Sequence, residues 1–263
     1  MTNSRSFKIG ERGIGPDHPV LVVAELSGNH NGDRERAENI IRAAKKAGAD
    51  AVKLQTYTPA TMTLDSTLPP LQTGDDSPWA GRTAYTLNAE AQTPSEWHPR
   101  LISLAREMGL LCFSSPFDIS GVDLLEDLQV PAYKMASPEI VVIPLLRRVA
   151  SCGKPVIVST GMARHEEIAV AVTTLRDGGA TEVALLRCVS AYPASPSEMN
   201  LNSLTRLERD FGVPVGLSDH SMDIVPAVAA VALGACIVEK HVTLDRADGG
   251  PDSGFSLEPD ELA

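Results

Sequence analysis

His220, at the end of Gly-Leu-Ser-Asp-His, and His241, at the end of Val-Glu-Lys-His, each close a short apolar run with an imidazole. Two imidazoles brought together can hold a divalent ion and still leave coordination positions for water or substrate oxygen. That pattern belongs to a catalytic metal such as Mn, Fe, Co or Zn rather than to a closed structural site. Either histidine alone reads more simply as a hydrogen-bonded residue at a strand end. Two of them on neighbouring strands make ligation the stronger reading, with Asp219 and Glu239 expected to accept from the rings and orient them.

Lys53, in Ala-Val-Lys-Leu-Gln-Thr, and Lys134, in Ala-Tyr-Lys-Met-Ala-Ser, interrupt apolar runs of the same kind. A buried ammonium is too costly to keep without an anionic partner. One reading supplies that partner from within, as a salt bridge to Glu25 or Glu139. The other supplies it from outside, as a ligand carrying phosphate and carboxylate, with the hydroxyls of Ser137, Ser159 and Ser218 as further donors. Ser159-Thr160-Gly161 would also let loop N–H groups come close to a phosphate. Glu25, in Ala-Glu-Leu-Ser-Gly-Asn-His, is either structural or a general base or hydroxyl anchor.

These residues need strands that end side by side. Short β-branched runs alternate with longer stretches of helical period, the signature of repeated βα units around a parallel sheet. Strands are expected at Val20 to Leu26, Ala51 to Thr56, Leu111 to Ser114, Ala132 to Ala136, Val156 to Ser159, Val183 to Cys188, Val215 to Ser218 and Cys236 to His241. Eight such units close best as an α/β fold of the (β/α)8 TIM-barrel type, whose catalytic groups sit where strands end. In the last two strands Gly216, Ser218 and His220 share one face, as do Ile237, Glu239 and His241, and both faces are expected to point inward. Between the first two strands, Asp33 to Ala47 reads as a helix with Asp33 as N-cap and Gly48 as the stop; Gly178-Gly179-Ala180 and Gly234-Ala235 punctuate later helices in the same way. Tyr57 to Thr93 is too long and too rich in Pro, Thr, Gly and Asp for a simple connection, and is expected to form a loop or lid over one rim. The last helix, from Glu258 to Ala263, is expected to be cut short.

A chain of 263 residues suits one such barrel, and 43% hydrophobic with 22% charged residues is ordinary for a globular domain. A net charge of −11 argues against a nucleic-acid partner, because phosphate backbones need a basic footprint. It leaves room for a small anionic substrate, since a few lysines can reverse the field inside one cleft. Cys112, Cys152, Cys188 and Cys236 have neither metal-ligand spacing nor a short disulfide framework, and read as buried thiols of a reducing cytosol. The start does not resemble a signal peptide and no apolar run reaches membrane-spanning length, so no membrane association and a cytoplasmic location are expected.

Eight segments taken in order carry a family resemblance. They are residues 24 to 33 (Ala-Glu-Leu-Ser-Gly-Asn-His-Asn-Gly-Asp), 48 to 57 (Gly-Ala-Asp-Ala-Val-Lys-Leu-Gln-Thr-Tyr), 113 to 118 (Phe-Ser-Ser-Pro-Phe-Asp), 133 to 139 (Tyr-Lys-Met-Ala-Ser-Pro-Glu), 158 to 163 (Val-Ser-Thr-Gly-Met-Ala), 216 to 221 (Gly-Leu-Ser-Asp-His-Ser), 239 to 244 (Glu-Lys-His-Val-Thr-Leu) and 252 to 259 (Asp-Ser-Gly-Phe-Ser-Leu-Glu-Pro). Together they resemble the sialic acid synthase family over nearly the whole chain. The Glu-Leu-Ser-x-Asn-His start, the Gln-Thr-Tyr-Thr-Pro run and Cys-Val-Ser-Ala-Tyr-Pro-Ala (188 to 194) are most similar to its pseudaminic acid synthase branch. Val189 stands where sialic acid synthases usually carry asparagine, and Asn88 stands where the branch often has a second tyrosine.

The resemblance implies condensation of phosphoenolpyruvate with the open-chain aldehyde of an N-acetylated amino sugar, giving a nonulosonic acid and phosphate. The acceptor expected is 2,4-diacetamido-2,4,6-trideoxy-altrose, with an N-acetylneuraminate or legionaminate synthase as the alternative and a non-catalytic binding barrel as an alternative of another class. It implies a divalent metal on His220 and His241, Mn2+ first, with Mg2+ or Co2+ as alternatives. Lys53, Lys134, Gln55, Ser137, Ser159 and Ser218 are implied to bind substrate, Glu25 to activate water or anchor an intermediate, and Asp252 and Tyr192 to contact the sugar. Glu139 and Glu239 are implied to carry protons or hold the lysines. Family members usually carry a small antifreeze-like domain after the barrel. This chain is expected to hold the barrel alone, with a homodimer and a separate chain supplying that domain as the partners the resemblance implies.

Overall fold

The computed structural model describes residues 6–74, 77 and 79–263. Eight parallel strands close into a barrel: β3 (Leu21–Glu25), β4 (Ala51–Thr56), β5 (Leu111–Pro116), β6 (Tyr133–Met135), β7 (Val156–Ser159), β8 (Val183–Cys188), β9 (Val215–Asp219) and β10 (Ile237–His241). They run in chain order, and β10 pairs with both β9 and β3. The eight strands expected from the sequence are all present, with ends displaced by at most two residues.

Two strands precede the barrel where the sequence reads only as a polar start. β1 (Phe7–Ile9) and β2 (Arg12–Ile14) form an antiparallel hairpin. Its Phe7, Ile9 and Ile14 pack against Leu21, Val23, Phe113, Ile157 and Leu186, so the hairpin stoppers the barrel at the end where the strands begin. Three apolar residues on three-residue strands are too short a pattern to stand out without knowing what they cover.

The helices form the outer layer, and a second apolar cluster lies between them and the outward strand faces. In α1 (Arg34–Lys46) the Asp33 carboxylate accepts from Glu35 N at 2.8 Å, and Gly48, at φ +97°, turns the chain back toward β4. The other principal helices are α4 (His98–Glu107), α5 (Ile119–Asp127), α6 (Ile143–Ala150), α7 (His165–Asp177), α8 (Ser203–Phe211) and α9 (Val225–Ala232). Residues 57 to 93 contain two short helices, α2 (Pro59–Met62) and α3 (Ala84–Ala91), with Gln72 bridged to Thr83. Asp75, Asp76 and Pro78 of that segment lie outside the described residues. The last helix, α10 (Pro259–Leu262), is a single turn.

The inward strand faces set up everything that follows. Successive inward residues pass from apolar at the plugged end to polar at the other: Val23 to Glu25, Ala51 to Lys53, Phe113 to Ser115, Ala132 to Lys134, Ile157 to Ser159 and Ile237 to Glu239. Period-two alternation gathers these polar groups at the rim where strands end, which is where barrel sites are built.

Candidate active site

At that rim lies a cavity of about 370 Å³. Its floor carries two lysines and a carboxylate that pairs with both. Lys53 Nζ lies 2.7 Å from Glu25 Oε2 and 2.9 Å from Glu239 Oε1, and Lys134 Nζ lies 3.4 Å from the same Glu239 oxygen. Burial lowers the Lys53 ammonium to about 8, even though the Glu239 charge beside it pulls the other way. Burial also favours neutral Glu239, but the charges of Lys134 and Lys53 win and hold this carboxyl well below its usual range.

The internal partner expected for Lys53 is present, and it does not take the lysines out of reach of a ligand. Lys53 has internal carboxylate partners, and both lysines still line the cavity. Glu25 supplies one partner and also accepts from Ser27 N at 2.9 Å. Glu139, the other carboxylate expected to pair, forms no salt bridge to either lysine. Its Oε2 is buried without a hydrogen-bond partner among the described residues, and burial pushes its carboxyl up. Neither Glu25 nor Glu139 is part of the cavity wall, which leaves Glu239 as the carboxylate on the floor.

Hydroxyls surround the lysines. Ser137, Ser159 and Ser218 all line the cavity, and Ser218 Oγ donates to Glu239 Oε1 at 3.2 Å. Ser159 Oγ and Ser115 Oγ are buried with no partner among the described residues, so each has a donor to give a ligand. Ser115 escaped sequence reading; alternation from Phe113 would have found it. The Gly161 N–H donates to Ser137 Oγ at 3.1 Å, and a Cβ there would sit 2.7 Å from Ser190 Oγ. The glycine thus serves close packing of the rim, and its N–H is already engaged.

The imidazoles of His220 and His241 meet with ring centroids 5.3 Å apart and planes at 76°. His220 Nδ1 donates to the Val189 carbonyl at 2.8 Å, which leaves Nε2 as the ring nitrogen a ligand could meet. His241 Nδ1 is buried with no partner among the described residues, and burial lowers this imidazole well below its ordinary range. Two imidazoles brought together, each with a ring nitrogen to offer, fit a divalent ion. Among the described residues no group of three or more His, Cys, Asp or Glu side chains is arranged for one, so the protein would supply two donors and leave the rest to water and substrate.

The orienting groups differ from those expected. Asp219 binds Lys240 Nζ and Ser221 N, and Glu239 is taken up by the lysines and Ser218. The acceptor behind His220 is a backbone carbonyl, which no side-chain pattern announces. Cys188 also departs from the reading as a merely buried thiol, for it lines the cavity with Sγ 4.0 Å from His220 Nδ1. Burial alone would raise it, but hydrogen bonds from His220 and Ser137 and the charge of Lys134 bring it down to about 7.

Across the cavity, Tyr192 stacks on His220 with centroids 4.3 Å apart and approaches Trp79 at 6.0 Å. Asp252 accepts from Ser27 Oγ, and burial pushes its carboxyl up. Gln55 Nε2 donates to the same Ser27 hydroxyl at 3.3 Å. The expected lid closes this side: Met62, Trp79, Leu87, Asn88 and Ala91 all face the cavity. Trp79 Nε1 donates to the Pro251 carbonyl at 2.6 Å, latching the lid beside Asp252.

A closed parallel barrel with charged and hydroxyl side chains gathered where its strands end has the architecture of a (β/α)8-barrel enzyme. Comparison with known proteins assigns it further: the chain belongs to the NeuB family, whose model matches residues 40–263. It is 44% identical over 240 residues to a pseudaminic acid synthase of Helicobacter pylori, an alignment covering 91% of this chain and 70% of that protein. It is 36% identical over 252 residues to an N,N'-diacetyllegionaminic acid synthase of Legionella pneumophila, covering 94% and 70%. The crystal structure of an N-acetylneuraminic acid synthetase from Leptospira borgpetersenii, in complex with citrate, superposes with a TM-score of 0.88 at 33% identity, covering 98% of this chain and 85% of that one.

Proposed function

We propose that the chain condenses phosphoenolpyruvate with the open-chain aldehyde of an acetamido sugar, forming a nonulosonic acid and inorganic phosphate in the cytoplasm. The acceptor proposed is 2,4-diacetamido-2,4,6-trideoxy-altrose, and the product pseudaminic acid. The observation that carries this reading is the two-part cavity, with Lys53, Lys134 and free hydroxyls on one side and the histidine pair, Tyr192 and Asp252 on the other. Identity of 43–44% to pseudaminic acid synthases supports the sugar, against 36–39% to the legionaminic acid synthases. Four free cysteines support a reducing compartment.

In the reaction, C3 of phosphoenolpyruvate forms a bond to the aldehyde carbon, whose oxygen becomes a hydroxyl. Water adds at C2, and the C2–O bond to phosphate breaks to leave the keto acid. Lys53, Lys134, Ser115, Ser137, Ser159 and Ser218 hold the phosphate and carboxylate and stabilise charge as C2 becomes electron-poor. A divalent metal, Mn2+ in this reading, would be held by His220 and His241 and would supply the positive charge that polarises the aldehyde oxygen. Tyr192 and Asp252 contact the sugar, with Asp252 able to hold a proton because burial raises its carboxyl. Glu25, away from the cavity wall, holds Lys53 in place.

The test is release of inorganic phosphate with phosphoenolpyruvate, Mn2+ and each of a set of 2-acetamido and diacetamido sugars. Release should require all three components and be fastest with the diacetamido trideoxy sugar. No release with any sugar would replace the catalytic reading with a binding barrel.

A further inference from the structure

One buried charge at the rim has no part in the chemistry above. Lys240 of β10 is 3% exposed, and its register partner on β9 is Asp219, 1% exposed. Because strand side chains alternate, both point out of the barrel wall, while their neighbours Glu239, His241, Ser218 and His220 point in. Lys240 Nζ donates to Asp219 Oδ2 at 3.1 Å, to the Ser221 carbonyl at 2.6 Å and to the Asp223 carbonyl at 3.0 Å. An ammonium has three protons, and each is engaged. Asp219 Oδ1 completes the knot by accepting from Ser221 N at 2.8 Å.

The knot encloses one histidine and adjoins the other. Asp219 and Ser221 flank His220 in sequence, and Lys240 immediately precedes His241. His220 has a ring tie of its own, to the Val189 carbonyl. His241 Nδ1 has none among the described residues, so its ring is placed by the backbone that carries it and by packing against Phe255 and Tyr192, with centroids 5.1 and 6.1 Å away. The ladder between β9 and β10 ends at the Lys240–Asp219 pair, one residue short of both imidazoles. Beyond that point, Lys240 is what ties the turn after His220 to the strand carrying His241.

We infer that Lys240 is a positioning residue, which clamps the turn after β9 to β10 and so fixes the separation of the His220 and His241 imidazoles. Its consequence for metal binding rests on the reading of that pair as ligands; the positioning itself does not.

The experiment compares the full chain with Lys240→Met and Asp219→Leu/Lys240→Met. Two measurements are made without turnover: Mn2+ affinity by electron paramagnetic resonance, and the imidazole NMR signals of His220 and His241 in metal-free protein. Lys240→Met should shift both sets of imidazole signals and weaken Mn2+ binding about 10- to 100-fold, the range for a group that orients ligands. Phosphoenolpyruvate binding without metal should stay within twofold. The double variant removes the buried charges together and should regain thermal stability without regaining Mn2+ affinity, because the Ser221 and Asp223 carbonyls still lack their donor. It also carries the test where the single variant does not fold. Unmoved imidazole signals in a folded variant, or Mn2+ affinity recovering in step with melting temperature, would overturn the inference. A wild-type protein that binds no Mn2+, with imidazole signals that still respond to Lys240→Met, would sink the metal reading and leave the clamp standing.

Discussion

The Lys53 ammonium on β4 lies 2.9 Å from the Glu239 carboxylate on β10, two strands away around the barrel, and Lys134 reaches the same oxygen from β6. Glu239 is thus the anion that lets two buried cations share one floor before substrate arrives. Glu239→Gln removes it, leaving Lys53 with Glu25 and Lys134 with no ion pair among the described residues. Breaking a buried ion pair from one side costs about 3–5 kcal/mol, so a loss of that order is expected in urea unfolding. A loss below about 1 kcal/mol would show that the lysines do not depend on this carboxylate.

The same pairing predicts a pH dependence. The Lys53 pKa is lowered to about 8 by burial, so the side chain is charged below that pH and becomes neutral above it. An anionic ligand needs the charged form. The dissociation constant of phosphoenolpyruvate, followed by calorimetry at constant ionic strength, should therefore be flat at lower pH and rise as pH passes through about 8. A constant value up to pH 10 would remove Lys53 from the phosphate or carboxylate clamp.

His220→Ala and His241→Ala should each cut phosphate release at least about a hundredfold, since a polarising metal is worth several kcal/mol at the transition state. Chelation should do the same to the wild type and leave little further loss in either variant. Full activity in the chelated enzyme would separate the histidines from any metal.

Trp79 tests the sugar side. Trp79→Phe keeps a ring near Tyr192 but removes the 2.6 Å bond to the Pro251 carbonyl. A hydrogen bond contributes about 0.5–1.5 kcal/mol, so KM for the sugar should rise between about twofold and tenfold while KM for phosphoenolpyruvate holds. Equal changes in both would mean that the latch serves the whole cavity rather than its sugar half.

Much of this site was legible because period two is a strong signal. Once Ile237, Glu239 and His241 are placed on one strand face, the polar rim follows, and Lys53, Lys134 and the serines fall into it by the same rule. What was hidden depends on partners that no pattern names. The Val189 carbonyl behind His220 is backbone, Ser115 lies one residue past the expected end of its strand, and Asp219 faces outward to Lys240 although it adjoins His220. Glu139 and Glu25 both looked able to meet a lysine, but only Glu25 does, because proximity of that kind depends on which strands neighbour one another and on the path of the loop after β6.

Gly216 links the barrel's packing to its chemistry, and its replacement gives a prediction about both. It is the inward residue of β9 just below Ser218, and a Cβ built on it would lie 2.3 Å from the Ile237 carbonyl and 2.7 Å from Leu186 Cδ2. Leu186 could rotate, but the carbonyl belongs to the ladder that holds β10 beside β9, so Gly216→Ala has to push the two strands apart. Overpacking of this kind costs about 1–3 kcal/mol. At roughly 2–4 °C per kcal/mol for a chain of this size, the melting temperature should fall by several degrees. The displaced strand also carries Glu239 and His241, so phosphoenolpyruvate binding and phosphate release should both weaken in protein that remains folded. A melting temperature that falls with activity intact would show that β10 yields at its plugged end, below the site, and that the rim is held independently from above.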